Sequence, residues 1–487
     1  MRETACQVSA SADPRGPTDL WEGPNYAELI PQLVPSGAVR SGDPAARQLI
    51  LNCVEYLKAR GEFAEGLELC EQVRVHWART LPGTHTDLLR LEVQYADLQR
   101  RSGRYREAEE TGRSLLARLA HRSPDQWEVL TVKTSVGGAL LALAEFDEAH
   151  ALREEIWREY RRQLGENDPT TLQARSNLGT TIVMLGRYAE ALVVQGEVLV
   201  AREWLLGREH AQTLSIGLSH ARTLRLLGRY PEATSRHKLN ARLHRRSLGE
   251  NSPETLRAEH GLAQCLRRSG AVRQGAEIMR SVLERSRLLH GPNHPETLMV
   301  TADWATFQRE SGALNGDLGE AFTLAGEVHG NYQKLVGDAH PYTAGTLSNL
   351  GLVNGVLGER AQALRTCEGA WTAMAAAVGP RHPWSIGCAL NAAGARHLVG
   401  DHDGSAELGA TTLAAAQEVL GKDNPLTFSC QAAYAAALRG QRRDEEADVL
   451  ERDVLDQMTA TLGSDHVHTV AVRRRDRMHW DFEPLPV

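Results

Sequence analysis

The sequence predicts an all-α fold, a right-handed superhelical solenoid of about ten helical hairpins. A polar–Pro–x–Thr–Leu phrase returns along the chain, most often 42 residues apart, as at Asp168, Ser252 and His294. A turn that reads Gly-Arg-Tyr in the clearest copies, as at 186–188, follows about 18 residues later. The composition favours helix, with aromatic residues at 5% and abundant Ala, Leu, Arg and Glu. A fixed period in this range is typical of a solenoid, in which each unit buries its apolar face only against its neighbours.

The repeat that begins at Asp168 shows how one unit folds. Asp168 is suited to cap a helix and Pro169 to occupy its first turn. Apolar residues then recur at helical spacing as far as Gly186, which is suited to a C-terminal cap. Tyr188 begins a second helix, which Gly207 ends. Each unit is therefore predicted to be a helical hairpin that stacks on the next.

These residues carry a family resemblance. A small residue at Gly179, then Gly186, Tyr188 and Ala191, resembles the tetratricopeptide repeat. The 42-residue spacing and the His-Pro-x-Thr-Leu linker resemble the kinesin light chain-type variant over about residues 43–472. Some copies are degenerate, with Ala-Glu-Phe at 144–146, Ala-Val after Gly270 and Arg442 in place of the last turn glycine. Four extra residues near 314–319 are expected to lengthen one turn.

The two ends of the chain differ in composition from the repeats. We expect residues 1–18 to be a disordered tail, 19–42 an N-terminal cap, 43–472 the solenoid and 473–487 a C-terminal capping tail. The capping interpretation lays Trp480 and Phe482 on the final hairpin. The alternative is a short linear motif that a partner reads.

Both ends add to the resemblance. Tyr-Ala-Glu-Leu-Ile-Pro at 26–31, leading into Gln-Leu-Ile-Leu-Asn at 48–52, and Asp-Phe-Glu-Pro at 481–484 resemble actinobacterial NB-ARC–tetratricopeptide proteins. The chain is most similar to the tetratricopeptide protein of FxSxx-COOH systems, in which a radical SAM enzyme modifies a small ribosomal peptide. No Gly-x-x-x-x-Gly-Lys-Ser/Thr is present, so the NB-ARC domain is missing. The resemblance implies an accessory role in ribosomal peptide modification or NB-ARC-type signalling, with a precursor peptide or its modifying enzyme as partner.

No catalytic pattern stands out. The sequence has no His-Glu-x-x-His, no Gly-x-Ser-x-Gly, no dinucleotide fingerprint and no Cys/His metal spacing. Linker histidines such as His294 and His466 share one position with Asp168, Ser252 and Asn424, an exchange that a helix cap explains and a metal ligand does not. We predict no enzyme, no cofactor and no metal. A net charge of −7, seven scattered cysteines and the lack of a long apolar run favour a soluble cytoplasmic protein without nucleic-acid or membrane affinity.

The first helices of the hairpins are expected to line the concave groove. Counting the turn glycine as position 15, position 6 carries Asn in four repeats, and in related grooves Asn at position 6 holds peptides. Basic residues, several of them at position 12, concentrate around repeats 5 to 7. The predicted peptide-binding residues are Asn177, Arg222, Arg225, Arg257, Arg267, Asn349 and Asn391. Such a groove favours an acidic segment or a C-terminal carboxylate, unless these arginines are simply solvated or paired with neighbouring Glu.

The favoured function is a non-enzymatic scaffold that binds a protein or peptide segment in the groove. One alternative is a peptide-responsive regulatory subunit, which acts on a transcription factor or other effector and needs a separate DNA-binding subunit. Another is a purely structural, self-associating array. Repeats 8 to 10 are rich in small residues, including Gly345 and Gly387. We expect that half to be more plastic, or to bury against a second protomer in a homodimer.

Overall fold

The computed structural model describes residues 11–14, 23–123, 125–312 and 318–486, except the side chains of 23–25, 311 and 312. Most of the predicted tail 1–18 and of the extra residues at 314–319 lies outside these ranges. The described residues form 22 α-helices and no strand, which confirms the predicted fold class.

The described elements begin with α1 (Gly23–Leu29) and two 3-10 turns (Ile30–Gln32 and Ala38–Arg40). Ten hairpins follow, which we number as repeats 1 to 10. They are α2 (Pro44–Arg60) and α3 (Phe63–Thr80), α4 (Thr86–Arg101) and α5 (Tyr105–Arg118), α6 (Trp127–Ala142) and α7 (Phe146–Leu164), α8 (Pro169–Met184) and α9 (Tyr188–Leu206), α10 (Ala211–Leu226) and α11 (Tyr230–Leu248), α12 (Pro253–Arg268) and α13 (Val272–His290), α14 (Pro295–Gly312) and α15 (Leu318–Val336), α16 (Pro341–Val356) and α17 (Arg360–Val378), α18 (Pro383–Val399) and α19 (His402–Leu420), α20 (Pro425–Gly440) and α21 (Asp444–Thr461). A short α22 (Val467–Arg473) ends the array.

The repeated phrase sets the helix ends as predicted. At α8, the carboxylate of Asp168 accepts a hydrogen bond from Thr170 N at 2.7 Å, and Pro169 lies in the first turn. Gly186 follows with φ 75°. The degenerate copies keep this left-handed turn, because Ala144 and Arg442 adopt φ 65° and 64°. Loss of the glycine therefore leaves the hairpin geometry unchanged.

Repeats that are five apart also contact each other, which differs from the expectation of contacts between neighbours only. The linker side chain at the start of a first helix donates a hydrogen bond to a carbonyl at the end of the first helix five repeats earlier. These bonds are His294 to Arg101 O (2.7 Å), His340 to Ala142 O (3.2 Å), His382 to Met184 O (2.9 Å), Asn424 to Leu226 O (3.2 Å) and His466 to Arg268 O (3.0 Å). Five repeats therefore complete one superhelical turn, and successive turns touch.

The linker histidines at these joints use both ring nitrogens. In His382, Nδ1 accepts from Trp384 N at 3.1 Å as a helix cap, while Nε2 donates to Met184 O. This pair of bonds requires the neutral ring with its proton on Nε2. Burial lowers the pKa of His340 and of His382 to about 4. The predicted capping role is correct, but the sequence did not indicate the second bond across the turn.

The chain ends pack in different ways. Near the N-terminus, Tyr26 is fully buried and stacks on Tyr56 of repeat 1, with 5.3 Å between ring centroids. Near the C-terminus, Met478 packs on the final hairpin, but the chain then turns back into the groove. Phe482 packs on Tyr342 and Trp384 of repeats 8 and 9. The expectation that Phe482 lies on the final hairpin is therefore wrong, because aromatic and charged partners deeper in the groove hold it.

Candidate peptide-binding groove

Residues 478–486, which we call the tail segment, lie extended inside the superhelix. Asn391 Nδ2 donates to Trp480 O at 2.8 Å, and Trp480 N donates to Asn391 Oδ1 at 2.9 Å. Asn349 makes the same pair with Phe482, at 2.8 and 2.9 Å. Two amides at position 6 of adjacent repeats thus hold alternate residues of an extended backbone. Such contacts are independent of the side chains of the bound segment.

The acidic side chains of the tail segment meet four buried arginines, Arg225, Arg267, Arg268 and Arg309, which we call the arginine cluster. The carboxylate of Asp481 accepts from Arg267 Nη1 at 3.0 Å and Arg309 Nη2 at 2.9 Å. The carboxylate of Glu483 accepts from Arg267 Nη2 at 2.6 Å, from Arg268 Nε at 3.0 Å and from Arg225. Three of these arginines stand at position 12 of consecutive repeats.

The electrostatics of the cluster depend on the two tail carboxylates. Burial on its own would raise the pKa of Asp481, but Arg309 and Arg267 outweigh it and hold the pKa well below its usual range. Burial lowers the pKa of Arg268 to about 10, so that its guanidinium stays charged at neutral pH. Without the tail segment, Glu310 still contacts the cluster, 2.6 Å from Arg267. Buried cations without partners are costly, by about 3–5 kcal/mol for a broken buried pair.

Aromatic side chains alternate with the acidic ones. The ring of Phe482 lies edge-on to Tyr342 and Trp384, at centroid distances of 5.6 and 5.3 Å. Trp480 lies beneath the guanidinium of Arg268, 4.1 Å from its central carbon. A Cβ at Gly345 would stand 2.2 Å from the ring of Phe482. Small residues of repeats 8 and 9 therefore make room for the tail segment.

The groove is nearly filled along residues 480–483 and widens beyond them. A cavity of only about 40 Å³ remains beside these four residues. Two larger cavities, of about 290 and 700 Å³, both reach Pro486. Arg222 lines the first and Asn177 the second. Within the described ranges Arg222 makes no ion pair, whereas Arg257 is engaged by Glu296 at 2.7 Å.

The structure thus divides the seven predicted site residues into two sets. Arg225, Arg267, Asn349 and Asn391 contact the tail segment, whereas Asn177, Arg222 and Arg257 line the cavities beyond it. The prediction omitted Arg268, Arg309, Tyr342 and Trp384 from the site. Arg309 could have been predicted, because it occupies position 12 of its repeat, as Arg225 and Arg267 do. The two aromatic residues belong to the His-Pro linkers and carried no groove signal.

One group of side chains has the geometry of a metal site. Glu310, His479 and Asp481 place ligand atoms within 4.8 Å of one another. Each already accepts from a guanidinium, including Arg309 to His479 at 2.9 Å and Arg267 to Glu310 at 2.6 Å. The arginines supply the positive charge that a cation would bring, and we assign no metal here.

Comparison with known proteins identifies the type of repeat. The tetratricopeptide repeat family matches residues 171–212 and 220–254. The chain carries tetratricopeptide repeats. An array of these repeats is a scaffold typical of protein–protein interaction, with an extended concave surface. Among curated proteins, no sequence matches the chain.

Solved structures with tetratricopeptide-like repeats are similar to this chain. A kinesin light chain from Podosopora anserina with nearly identical repeats is 21% identical over 42% of this chain and 96% of its own, with a TM-score of 0.34. BtubC (BKLC) from P. vanneervenii is 19% identical over 47% of this chain and 91% of its own, with a TM-score of 0.37. A Rap protein complexed with competence and sporulation factor is 10% identical over 77% of this chain and 100% of its own, with a TM-score of 0.49. These likenesses concern the fold alone.

In the described part of the chain, no helix combines the length and the apolar content that a membrane crossing requires.

Proposed function

We propose that this protein is a non-catalytic scaffold that binds an extended acidic segment of a partner in its concave groove. The observation that carries the proposal is the pair of amides, Asn349 and Asn391, each of which both donates to and accepts from the backbone of one tail residue. This geometry fits any extended chain at these two positions. In the structure, the tail segment is the extended chain that occupies these two positions.

The arginine cluster adds a requirement for charge. Four buried guanidinium groups converge on two carboxylates that are two residues apart in an extended segment. Among the described residues, a neutral ligand would leave Arg225 and Arg268 without a carboxylate partner, at a cost of several kcal/mol. The groove therefore favours ligands with acidic side chains at alternate positions. Aromatic side chains at the positions between them would occupy the spaces that Trp480 and Phe482 fill.

The cavities beyond Pro486 extend the proposed site. A ligand that continues past this point meets Arg222 and Asn177, which we propose as contacts for its later residues. Arg257 is a weaker candidate, because Glu296 and Glu254 already engage its guanidinium. In the setting that the sequence resemblance implies, the ligand would be a precursor peptide or its modifying enzyme.

A labelled synthetic peptide with the sequence of residues 476–486 tests the proposal. The host is the full chain with D481N and E483Q, which weaken its own tail segment while keeping its shape. We expect the peptide to bind. The same peptide with Asn and Gln in place of Asp481 and Glu483 should bind at least about tenfold more weakly, since charge-assisted bonds contribute about 1.5–3 kcal/mol each.

Two matched host variants sharpen this test. Both carry an Asn→Asp change at position 6 of a repeat. N349D should weaken binding, because it removes the donor to the peptide carbonyl, whereas N177D should leave the affinity for this short peptide unchanged. Equal affinity for the acidic and amide peptides, or no binding of either, would refute the proposed function.

A further inference from the structure

The tail segment occupies the site that the proposed function assigns to a partner. Its contacts come from the first helices of five consecutive repeats, Arg225 on α10, Arg267 on α12, Arg309 on α14, Asn349 on α16 and Asn391 on α18. Because five repeats make one turn, these helices surround the segment on all sides. It is also deeply buried, with Asp481 and Phe482 only 3% and 5% exposed.

The link between the array and the tail segment is exposed to solvent, unlike the tail segment itself. Residues 473–476 are exposed, and Arg475 has φ 60°, which is uncommon for a residue other than glycine. The chain reverses there, between the last helix and the groove. The buried segment is therefore joined to the array by a short solvent-exposed connection, and can be separated from it at that point without cutting a helix.

We propose that the tail segment is an intramolecular competitor, and that the groove is available to a partner only when this segment is displaced. This inference rests on the proposed function of the groove. The partner it implies carries an aromatic–acidic–aromatic–acidic pattern, because it replaces Trp480, Asp481, Phe482 and Glu483 against the same amides, aromatic rings and guanidinium groups. The fraction of arrays that bind the partner then depends on the partner's concentration and on its affinity relative to that of the tail segment.

The size of the effect follows from tethering. A segment on a short connection has an effective concentration of about 1 mM. If the same sequence binds as a free peptide with a dissociation constant of about 10 μM, the tethered copy lowers the apparent affinity for a competing peptide about 100-fold. Weakening the tail segment should remove most of this penalty.

The experiment compares the wild-type chain with the D481N/E483Q chain, using the labelled peptide of residues 476–486. Because the amide tail of the variant still competes, though at least about tenfold more weakly, we expect the wild-type chain to bind the peptide at least about tenfold more weakly than the variant. Equal affinity for both chains would overturn the competitor while leaving the proposed function intact. Binding to neither chain would instead refute the proposed function.

A second measurement covers the case in which the double variant does not fold. A site-specific protease sequence placed between Arg475 and Asp476 allows the tail segment to be cut after the wild-type chain has folded. We expect the cut segment to exchange with the labelled peptide while the helical circular dichroism stays constant. Loss of helical signal as the segment leaves would show that it is part of the core, and would overturn the inference.

Discussion

The histidines that join successive superhelical turns predict a loss of stability in acid. His340 and His382 each accept a backbone N–H at Nδ1 and donate from Nε2 across the turn, so the neutral ring is required. Protonation removes the acceptor. The perturbation we consider is the double substitution H340N/H382N, because Asn424 makes both bonds with its amide, at 2.9 Å to Leu426 N and 3.2 Å to Leu226 O.

The magnitude follows from the two pKa values. Each of these histidines has a pKa of about 4 in the folded chain and about 6.5 in the unfolded chain. Between pH 6.5 and pH 4 the unfolded chain binds more protons than the folded chain. The free energy of unfolding is therefore highest above pH 6.5 and decreases as the pH falls toward 4. From pH 7.5 to 5.0 the loss is about 2 kcal/mol for each histidine, or about 4 kcal/mol for both.

Calorimetric melting of both proteins at pH 7.5 and 5.0 measures this loss. Other buried histidines, such as His237 with a pKa of about 3, are present in both proteins and cancel in the comparison. The acid-induced fall in Tm should be smaller in H340N/H382N by about 4 °C for a chain of this length. Equal falls in the two proteins would refute the assignment of the neutral, doubly bonded rings.

Two further predictions concern packing. A Cβ at Gly186 would stand 2.3 Å from Pro383 of the next turn, whereas at Gly400, which has the same position in its repeat and a similar φ, it would meet nothing within 4 Å. G400A should cost about 1 kcal/mol of backbone strain and G186A about 2 kcal/mol more, as measured by thermal unfolding; equal costs would argue against contact between the turns. F482A should cost about 3–5 kcal/mol of local stability, seen as faster hydrogen exchange in the tail segment. F322A, at a 45% exposed side chain, is the control, with an expected effect below about 0.5 kcal/mol, and unchanged exchange in F482A would contradict the packing of the tail.

The fold and part of the site could be predicted because their signals are local. Each cap, turn glycine and apolar stripe acts within one 42-residue unit, and the position of a residue in its repeat predicts which face it occupies. Asn349, Asn391 and Arg267 were found in this way. What the sequence did not indicate depends on distant contacts. The bond between His382 and Met184 spans 198 residues and requires the pitch of the superhelix, which follows from small rotations summed over five repeats.

The place of the tail segment depends on the same pitch. Glu483 meets Arg225 across 258 residues, and no local pattern connects the two. The alternation of aromatic and acidic residues at 480–483 was visible, and it complements the arginines at position 12 once the segment is known to be extended. Only the closed turn brings α10 and α18 close enough to contact the same short segment.

The joints between successive turns have a consequence for how a segment enters and leaves. A groove open along its length would let a peptide approach from the side, but here one complete coil surrounds the bound chain and the next coil is fastened to it. The tail must therefore thread in along the axis, or be wrapped as the later repeats fold around it. A partner that does not thread along the axis can replace the tail only after the hydrogen bonds between coils break, so that the rate of opening of the array limits the rate of its binding.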